Sequence, residues 1–301
     1  MKVLVTGGTG FIGSHITDLL VEEGHEVVVI DNLSQSDLSF LNPRARFYQG
    51  DITDPELFSI LAKEKPEIII HQAAQVSVYH SVNDPLHDGK TNILGTLQLL
   101  QGAVQCKVQK MIFASTCAVY GDAQTLPIPE DHPINPLSGY ALSKWTGEEY
   151  IRLFHRLYGL RYTILRYANV YGPRQGRGGE GGVVSSFARQ MKKGIPPVIF
   201  GDGQQTRDFV YVKDVARANV LALAKGDQET INISSGQAFS IGELYALMAK
   251  LARLNLPPRY APSRTGDIRH SCLDRNKAKD VLGWAPYYSL ERGLQETLAS
   301  F

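Results

Sequence analysis

The chain alternates short apolar, often β-branched runs with longer stretches in which apolar residues recur every three or four positions. The short runs are KVLVT (2–6), EVVVI (26–30), ARFYQ (45–49), EIIIH (67–71), KMIFAS (110–115) and YTILR (162–166). Several are apolar almost throughout, the pattern of strands covered on both faces. Between them the helical period fills about 11–23, 54–64, 86–106 and 138–158. Strands and helices in alternation predict an α/β fold with a doubly wound parallel sheet.

The pattern changes past about residue 170. GPRQGRGGEGG (172–182) is Gly-rich and is expected to be a flexible connector; it lacks the Gly-Lys-Ser/Thr ending of a P-loop. Shorter strands and helices follow, with prolines at 196–197, 257–258, 262 and 286. The expected organisation is a first domain over 1–170 and a smaller mixed α/β substrate lobe over 171–301. Residues 201–225 are expected to pack back on the first domain.

Composition narrows the classes. The 301 residues are 43% hydrophobic and 20% charged, enough apolar material for a sizeable core. A net charge of +1 gives no global attraction to nucleic acid or to an anionic membrane surface. No run approaches the ~18 apolar residues of a membrane span, and Met1 leads directly into a strand-like run without signal-peptide character. Cys106, Cys117 and Cys272 lie far apart and form no CxxC pair, so reduced cytoplasmic thiols are expected and no metal site.

The first strand runs into TGGTGFIGSH (6–15), where Gly8, Gly10 and Gly13 form GxGxxG and Gly7 is additional. Glycines there permit a tight turn, let backbone approach a pyrophosphate, and let the following helix pack closely. That helix then aims its first amides and its dipole at the phosphates. Asp31 closes the second strand eighteen residues beyond Gly13, where a carboxylate suits the 2′-hydroxyl of an adenosine ribose. The same charge repels an extra 2′-phosphate, which favours NAD over NADP.

In SGYALSKW (138–145), Ser138 reads as a helix cap, and Tyr140 and Lys144 fall on one helical face. With 14 tyrosines in the chain, one such pair is expected by chance. Context separates this one: KMIFAS ends at Ser115-Thr116, on the carboxyl edge of the sheet where ligands of such folds bind.

A strand-end hydroxyl, a helical Tyr-x-x-x-Lys and an N-terminal glycine motif together resemble the extended branch of the short-chain dehydrogenase/reductase superfamily. Within it the chain resembles the nucleotide-sugar epimerases acting on UDP-glucose and UDP-galactose. The likeness runs nearly end to end. It is carried by TGGTGFIGSH, DNLS (31–34), GDI (50–52), HQAAQ (71–75), TNILGT around Asn92, STCAVYG (115–121), YALSK (140–144), RYANVYGPRQ (166–175), GDGQQTRDFVYVKDVA (201–216) and RTGD (264–267).

The resemblance implies a Rossmann-like fold with NAD bound by the 1–170 domain, and a redox-neutral inversion at the sugar C4. Tyr140 would be the general base, Thr116 would hydrogen-bond the reacting oxygen, and Lys144 would hold the nicotinamide ribose and lower the Tyr140 pKa. Free tyrosine has a pKa near 10, and a fall of about three units needs about 4 kcal/mol, the order of one charge about 4 Å away at an effective dielectric near 20. Gly7, Gly10, Phe11, Ile12 and Gly13 would lie on the pyrophosphate. Asp31 and Asn32 would face the adenosine ribose, and Asp51 and Ile52 the adenine. Gln72, Ala73, Ala74, Asn92 and Tyr167 would line the remaining length, although the alanines read equally as strand-end packing and Asn92 as a satisfied core amide.

For the substrate, Arg207 and Arg264 would hold a diphosphate through forked guanidinium contacts. Asn169 would meet a phosphate and Asp267 the uridine ribose. Ala168 stands where some family members carry a bulky aromatic, and Ser271 stands at a position that governs room for the sugar's 2-substituent. A small residue there leaves space for an N-acetyl group, so UDP-GlcNAc is a second expected substrate. A 4,6-dehydratase would need an acidic pair after the threonine, where this chain has Cys117-Ala118. A decarboxylase, a uronic acid epimerase and a non-catalytic NAD-binding protein are the other readings. The apolar positions of 86–106 and 138–158, such as Ile93, Leu97, Leu100 and Val104, pack on the sheet; the resemblance adds a homodimer through these helices.

Overall fold

Alternation along each strand decides which side chain enters which layer. In the first strand, β1 (Lys2–Thr6), Val3 and Val5 face one way and Leu4 the other, and all three are fully buried. The computed structural model describes residues 1–176, 181–263 and 268–301. Its further strands are β2 (Glu26–Asp31), β3 (Arg46–Gln49), β4 (Ile68–His71), β5 (Lys110–Thr116), β6 (Arg161–Tyr167), β7 (Asn169–Tyr171), β8 (Val198–Phe200), β9 (Thr206–Tyr211), β10 (Glu229–Ile233), β11 (Ala238–Ser240) and β12 (Arg259–Ala261). The helices are α1 (Phe11–Glu22), α2 (Glu56–Glu64), α3 (Val78–Asn83), α4 (Pro85–Gly89), α5 (Gly95–Gln105), α6 (Gly139–Tyr158), α7 (Val183–Lys192), α8 (Val212–Leu221), α9 (Ile241–Leu251) and α10 (Leu290–Ala299).

The main sheet runs β3-β2-β1-β4-β5-β6-β10, with every neighbouring pair parallel. This is the doubly wound, Rossmann-like order with a seventh strand added. On one face Val3, Val5, Val27, Val29, Ile68 and Ile70 pack with Ile16 and Leu20 of α1 and with Val215 and Ala218 of α8. On the other, Leu4, Val28, Ile69, Met111 and Ile164 meet Leu57 and Leu61 of α2, Leu99 and Leu100 of α5, and Ile151 and Phe154 of α6. Each such side chain stabilises the fold by about 1.5–3 kcal/mol on burial. Because α8 and β10 belong to this body, the segment beyond residue 170 contributes to the layers of the main sheet as well. The rest of that segment builds a mixed three-stranded sheet, β11-β9-β7, and a two-stranded one, β12-β8. A separate core there joins Phe187 and Met191 of α7, Phe209 and Leu244.

The expected helix over 86–106 forms, with one irregular turn inside it. α4 ends at Gly89, a π-helical turn covers Lys90–Leu94, and α5 starts at Gly95. Asn92 lies on that π turn, a local widening often found beside functional sites. α6 is capped as expected: the Ser138 hydroxyl accepts the Ala141 N–H at 3.1 Å, and Gly159 closes it in the left-handed conformation. Among the described residues no helix is long and apolar enough to cross a membrane.

Candidate active site

The sheet order reverses between β1 and β4, and a cleft of about 1060 Å³ opens there at the carboxyl edge. Its floor is the turn after β1. Gly7 has φ +68°, and a Cβ on it would sit 2.8 Å from the Ala73 nitrogen; one on Gly13 would sit 2.1 Å from the Gly7 oxygen. Gly10 caps α1 without a side-chain partner, so the first amides of α1 face the cleft beside Phe11 and Ile12. The working glycines are therefore Gly7, Gly10 and Gly13, three apart. Gly8, the first glycine of the GxGxxG frame, instead turns to the core, where a Cβ would meet Val29 at 2.7 Å.

Asp31 is buried at the end of β2. It accepts the Thr9 and Leu33 N–H groups at 3.1 and 2.9 Å and the Ser36 hydroxyl at 2.7 Å. The Asn32 amide donates to Asp51 at 2.7 Å. Burial opposes the Asp51 charge, but hydrogen bonds from Thr53 and Asn32 outweigh it and the net shift is downward. Ile52 completes this wall. Opposite, Gln72 lines the cleft with Ala73 and Ala74, and its amide donates to the Tyr167 hydroxyl at 3.1 Å. A glycine cradle at a helix start, a strand-end carboxylate and an elongated cleft together fit a dinucleotide.

Two predicted cofactor residues stand behind this wall. Asn92 donates to the Gln75 carbonyl and the Ser143 hydroxyl at 2.9 and 3.0 Å and accepts the Gln75 N–H at 2.9 Å. It is the satisfied core amide of the alternative reading, and it fixes the wall it was expected to line. Lys144 is buried, donates to the Ala114 carbonyl at 2.8 Å and sits 4.8 Å from the Phe113 ring centroid.

Thr116 and Tyr140 meet at the inner end of the cleft. The Thr116 side chain accepts the Ala118 N–H at 3.1 Å, and it lines the cleft together with the Tyr140 phenol. Tyr140 keeps part of its surface open to the cleft. Burial of its phenol nevertheless pushes the pKa up to about 12; the Thr116 side chain opposes this, and Cys117 and Asp88 reinforce it. The expected lowering of the Tyr140 pKa by Lys144 is not seen: desolvation dominates, and the ammonium is turned to the Ala114 carbonyl. Lys144 itself is brought down to about 8 by burial, against the pull of Asp88 and Glu148.

Several positioning groups escaped the sequence reading. Glu148 lies one turn beyond Lys144 on the same face of α6. It accepts the Ser115 hydroxyl and takes Arg166 in a fork at 2.9 and 2.7 Å, locking α6 to the ends of β5 and β6. His71, at the end of β4, is buried between two threonines. Thr96 donates to the Asn92 carbonyl at 2.6 Å, so it accepts from His71 Nε2 at 3.1 Å. Nδ1 then accepts the Thr6 hydroxyl at 2.7 Å, and the Thr6 oxygen takes the Ala73 N–H at 3.2 Å. Burial, helped by the Lys144 charge, pushes His71 down to about 3, which keeps it neutral.

At the substrate end Asn169 is exposed at the mouth of the cleft. Arg207 is on β9, where it donates to the Thr206 carbonyl at 2.8 Å and its charge reaches Cys117. Ser271 is buried, lowers the Cys117 pKa against burial and, like Arg207, is not among the residues that line the cleft. Arg264 and Asp267 lie outside the described residues. Of the expected connector, Arg174, Gln175, Gly176, Gly181 and Gly182 line the cleft, and residues 177–180 lie outside the described residues.

The model of the NAD dependent epimerase/dehydratase family matches residues 3–234. A UDP-glucose 4-epimerase of Mycolicibacterium smegmatis is 41% identical over 308 residues, spanning all of this chain and 98% of the relative. The solved UDP-glucose 4-epimerase of Thermotoga maritima, with UDP-glucose, is 47% identical at a TM-score of 0.98 over 100% of this chain and 98% of that one. The UDP-N-acetylglucosamine 4-epimerase of Methanobrevibacter ruminantium, in complex with UDP-N-acetylmuramic acid, is 37% identical at 0.95 over 100% and 97%. A glycine cradle for a dinucleotide, a Thr-Tyr pair at its inner end and likeness across the whole chain lead to one conclusion: the chain belongs to the NAD dependent epimerase/dehydratase family.

Proposed function

We propose that this enzyme interconverts the C4 epimers of a UDP-sugar, UDP-glucose and UDP-galactose first, with NAD resident in the cleft. The observation that carries the reading is that Thr116 and Tyr140 line the same cleft as the Gly7–Gly13 cradle. Bound NAD supplies the two-electron chemistry at the sugar C4; the chain supplies position and proton.

Tyr140 Oη takes the proton of the sugar 4-hydroxyl and returns it after the sugar has turned over. From a pKa of about 12, forming the phenolate at pH 7 costs about 7 kcal/mol. One positive charge about 4 Å away returns about 4 kcal/mol at an effective dielectric near 20. The base thus needs two charges, Lys144 and the oxidised nicotinamide, and stays protonated until the cleft is filled. Thr116 orients the reacting oxygen, and Asn169, Arg207 and Arg264 take the diphosphate, with Asp267 on the uridine ribose.

A dehydratase reading is disfavoured at the atom level. Burial pushes the Cys117 thiol, next to Thr116, up to about 11, so it is a poor proton carrier near neutrality. Acceptance of UDP-GlcNAc is favoured by Ser271 and by the likeness to the Methanobrevibacter enzyme. The same reading gives a homodimer. Val82, Leu86, Leu94 and Leu142, on and beside α3, α4 and α6, are 65%, 85%, 58% and 52% exposed and offer an apolar face.

The test is a panel of UDP- and dTDP-sugars assayed for 4-epimer formation. UDP-glucose and UDP-galactose should turn over best. Preference for a dTDP-sugar or a UDP-uronic acid would replace this reading.

A further inference from the structure

The turn after β7 contains two adjacent side chains whose polar atoms are buried without partners among the described residues. Arg174 Nη1 has no acceptor and Gln175 Oε1 has no donor, and both residues line the cleft. Buried donors and acceptors are almost always paired, and an unpaired guanidinium nitrogen is among the least favourable exceptions.

The rest of Arg174 is firmly held. Nη2 is paired with Asp18 of α1 at 2.8 Å, and the guanidinium lies 5.4 Å from the Phe40 ring centroid. The adjacent Pro173 carbonyl is bound by His15 of the same helix at 3.1 Å. Arg174 also has φ +71°, a left-handed backbone that costs a non-glycine residue free energy and persists only where the surroundings impose it. Gln175 is 8% exposed, with its amide nitrogen fixed to the Val170 carbonyl at 3.0 Å, so its oxygen cannot turn away. One guanidinium arm is thus anchored to the flank of the helix whose N-terminus forms the phosphate cradle, while the other is desolvated at the cleft.

We infer that Arg174 is a diphosphate ligand: its free Nη1 donates to a phosphate oxygen of the bound dinucleotide, and Gln175 Oε1 accepts a ligand hydroxyl beside it. The anchor on α1 and the contact with Phe40, in the β2–β3 connection, place Arg174 on the dinucleotide side of the cleft. This rests on the dinucleotide reading of the cavity. It gives the segment 172–176 the task of closing the cradle from the side opposite Gly7.

The test compares Arg174→Gln with the parent chain, both stripped of nucleotide, by competition of ADP and of adenosine against NAD. UDP titration of the two holoproteins forms a separate arm. Loss of charge-assisted bonds to phosphate should weaken ADP and NAD by about ten- to a hundred-fold and leave adenosine unchanged. Arg174→Lys keeps the charge without the fork and should fall between, and it serves as the variant if the glutamine chain does not fold. Equal weakening of ADP and adenosine would show a structural role only, and weakening of UDP alone would assign the group to the nucleotide-sugar. Unchanged ADP affinity would overturn the proposal; a parent chain that binds neither ADP nor NAD would instead overturn the dinucleotide reading.

Discussion

Thr116 at the end of β5 and Tyr140 in the first turn of α6 line the same cleft, and the Thr116 side chain lowers the Tyr140 pKa against burial. Glu148 fixes this juxtaposition by accepting from Ser115 on one side and from Arg166 on the other. Tyr140→Phe keeps the ring and its packing and removes only the proton carrier. It should retain fold and bound NAD while kcat falls by about a hundred- to ten-thousand-fold; nucleotide content and initial rates measure both.

Lys144 should cost stability while it serves activity. Its folded pKa of about 8 lies below the ordinary lysine value of 10.5, so the unfolded chain binds more protons between those values. Stability contributed by this group therefore rises from pH 8 to 10.5, and below pH 8 its burial costs about 3 kcal/mol. Lys144→Met should be more stable than the parent at pH 7, with the gap closing toward pH 10.5, and should lose nearly all turnover. Urea midpoints across that range read the first effect.

Acid should destabilise the protein early, because two histidines are held neutral. Burial brings His71 to about 3 and His15 to about 4, both from 6.5. Below pH 6.5 the unfolded chain takes up protons that the folded chain refuses, so stability falls, by about 3 kcal/mol for each histidine at pH 4. His71→Gln should flatten the decline between pH 6.5 and 4 in denaturant titrations.

Ser271 lowers the pKa of Cys117, one residue from Thr116. If it sets the room around the sugar 2-substituent, Ser271→Tyr should abolish turnover of UDP-GlcNAc and spare UDP-glucose within about tenfold, since added bulk acts through a steric clash confined to one substituent. Parallel kcat/KM values for the two sugars decide it. Undetectable turnover of the N-acetyl sugar by the parent chain would contradict the pocket reading.

The six predicted strands all form, because runs such as EIIIH have no polar face to leave in water. Gly7, Gly10 and Gly13 were legible for a similar reason: only glycine fits where a Cβ would strike Ala73 or the Gly7 carbonyl. The π turn at Lys90–Leu94 was not legible, since it keeps the apolar period on both sides. Nor was the direction of the Tyr140 pKa, which depends on where the Lys144 ammonium points, a rotamer choice spacing cannot reveal. Glu148, His71 and Arg174 were visible as residues, but their partners lie far along the chain, at Arg166, Thr6 and Asp18. Gly-rich sequence gives no sign that Arg174 to Gly176 line the cleft.

The most direct measurement adds UDP-glucose to the purified enzyme without any NAD and follows the sugar anomeric signals by NMR. Epimerisation with a resident cofactor predicts UDP-galactose formation, the same final ratio when the reaction is started from UDP-galactose, and no net accumulation of NADH. Failure of an enzyme that carries NAD to form any 4-epimer from either sugar would contradict the account.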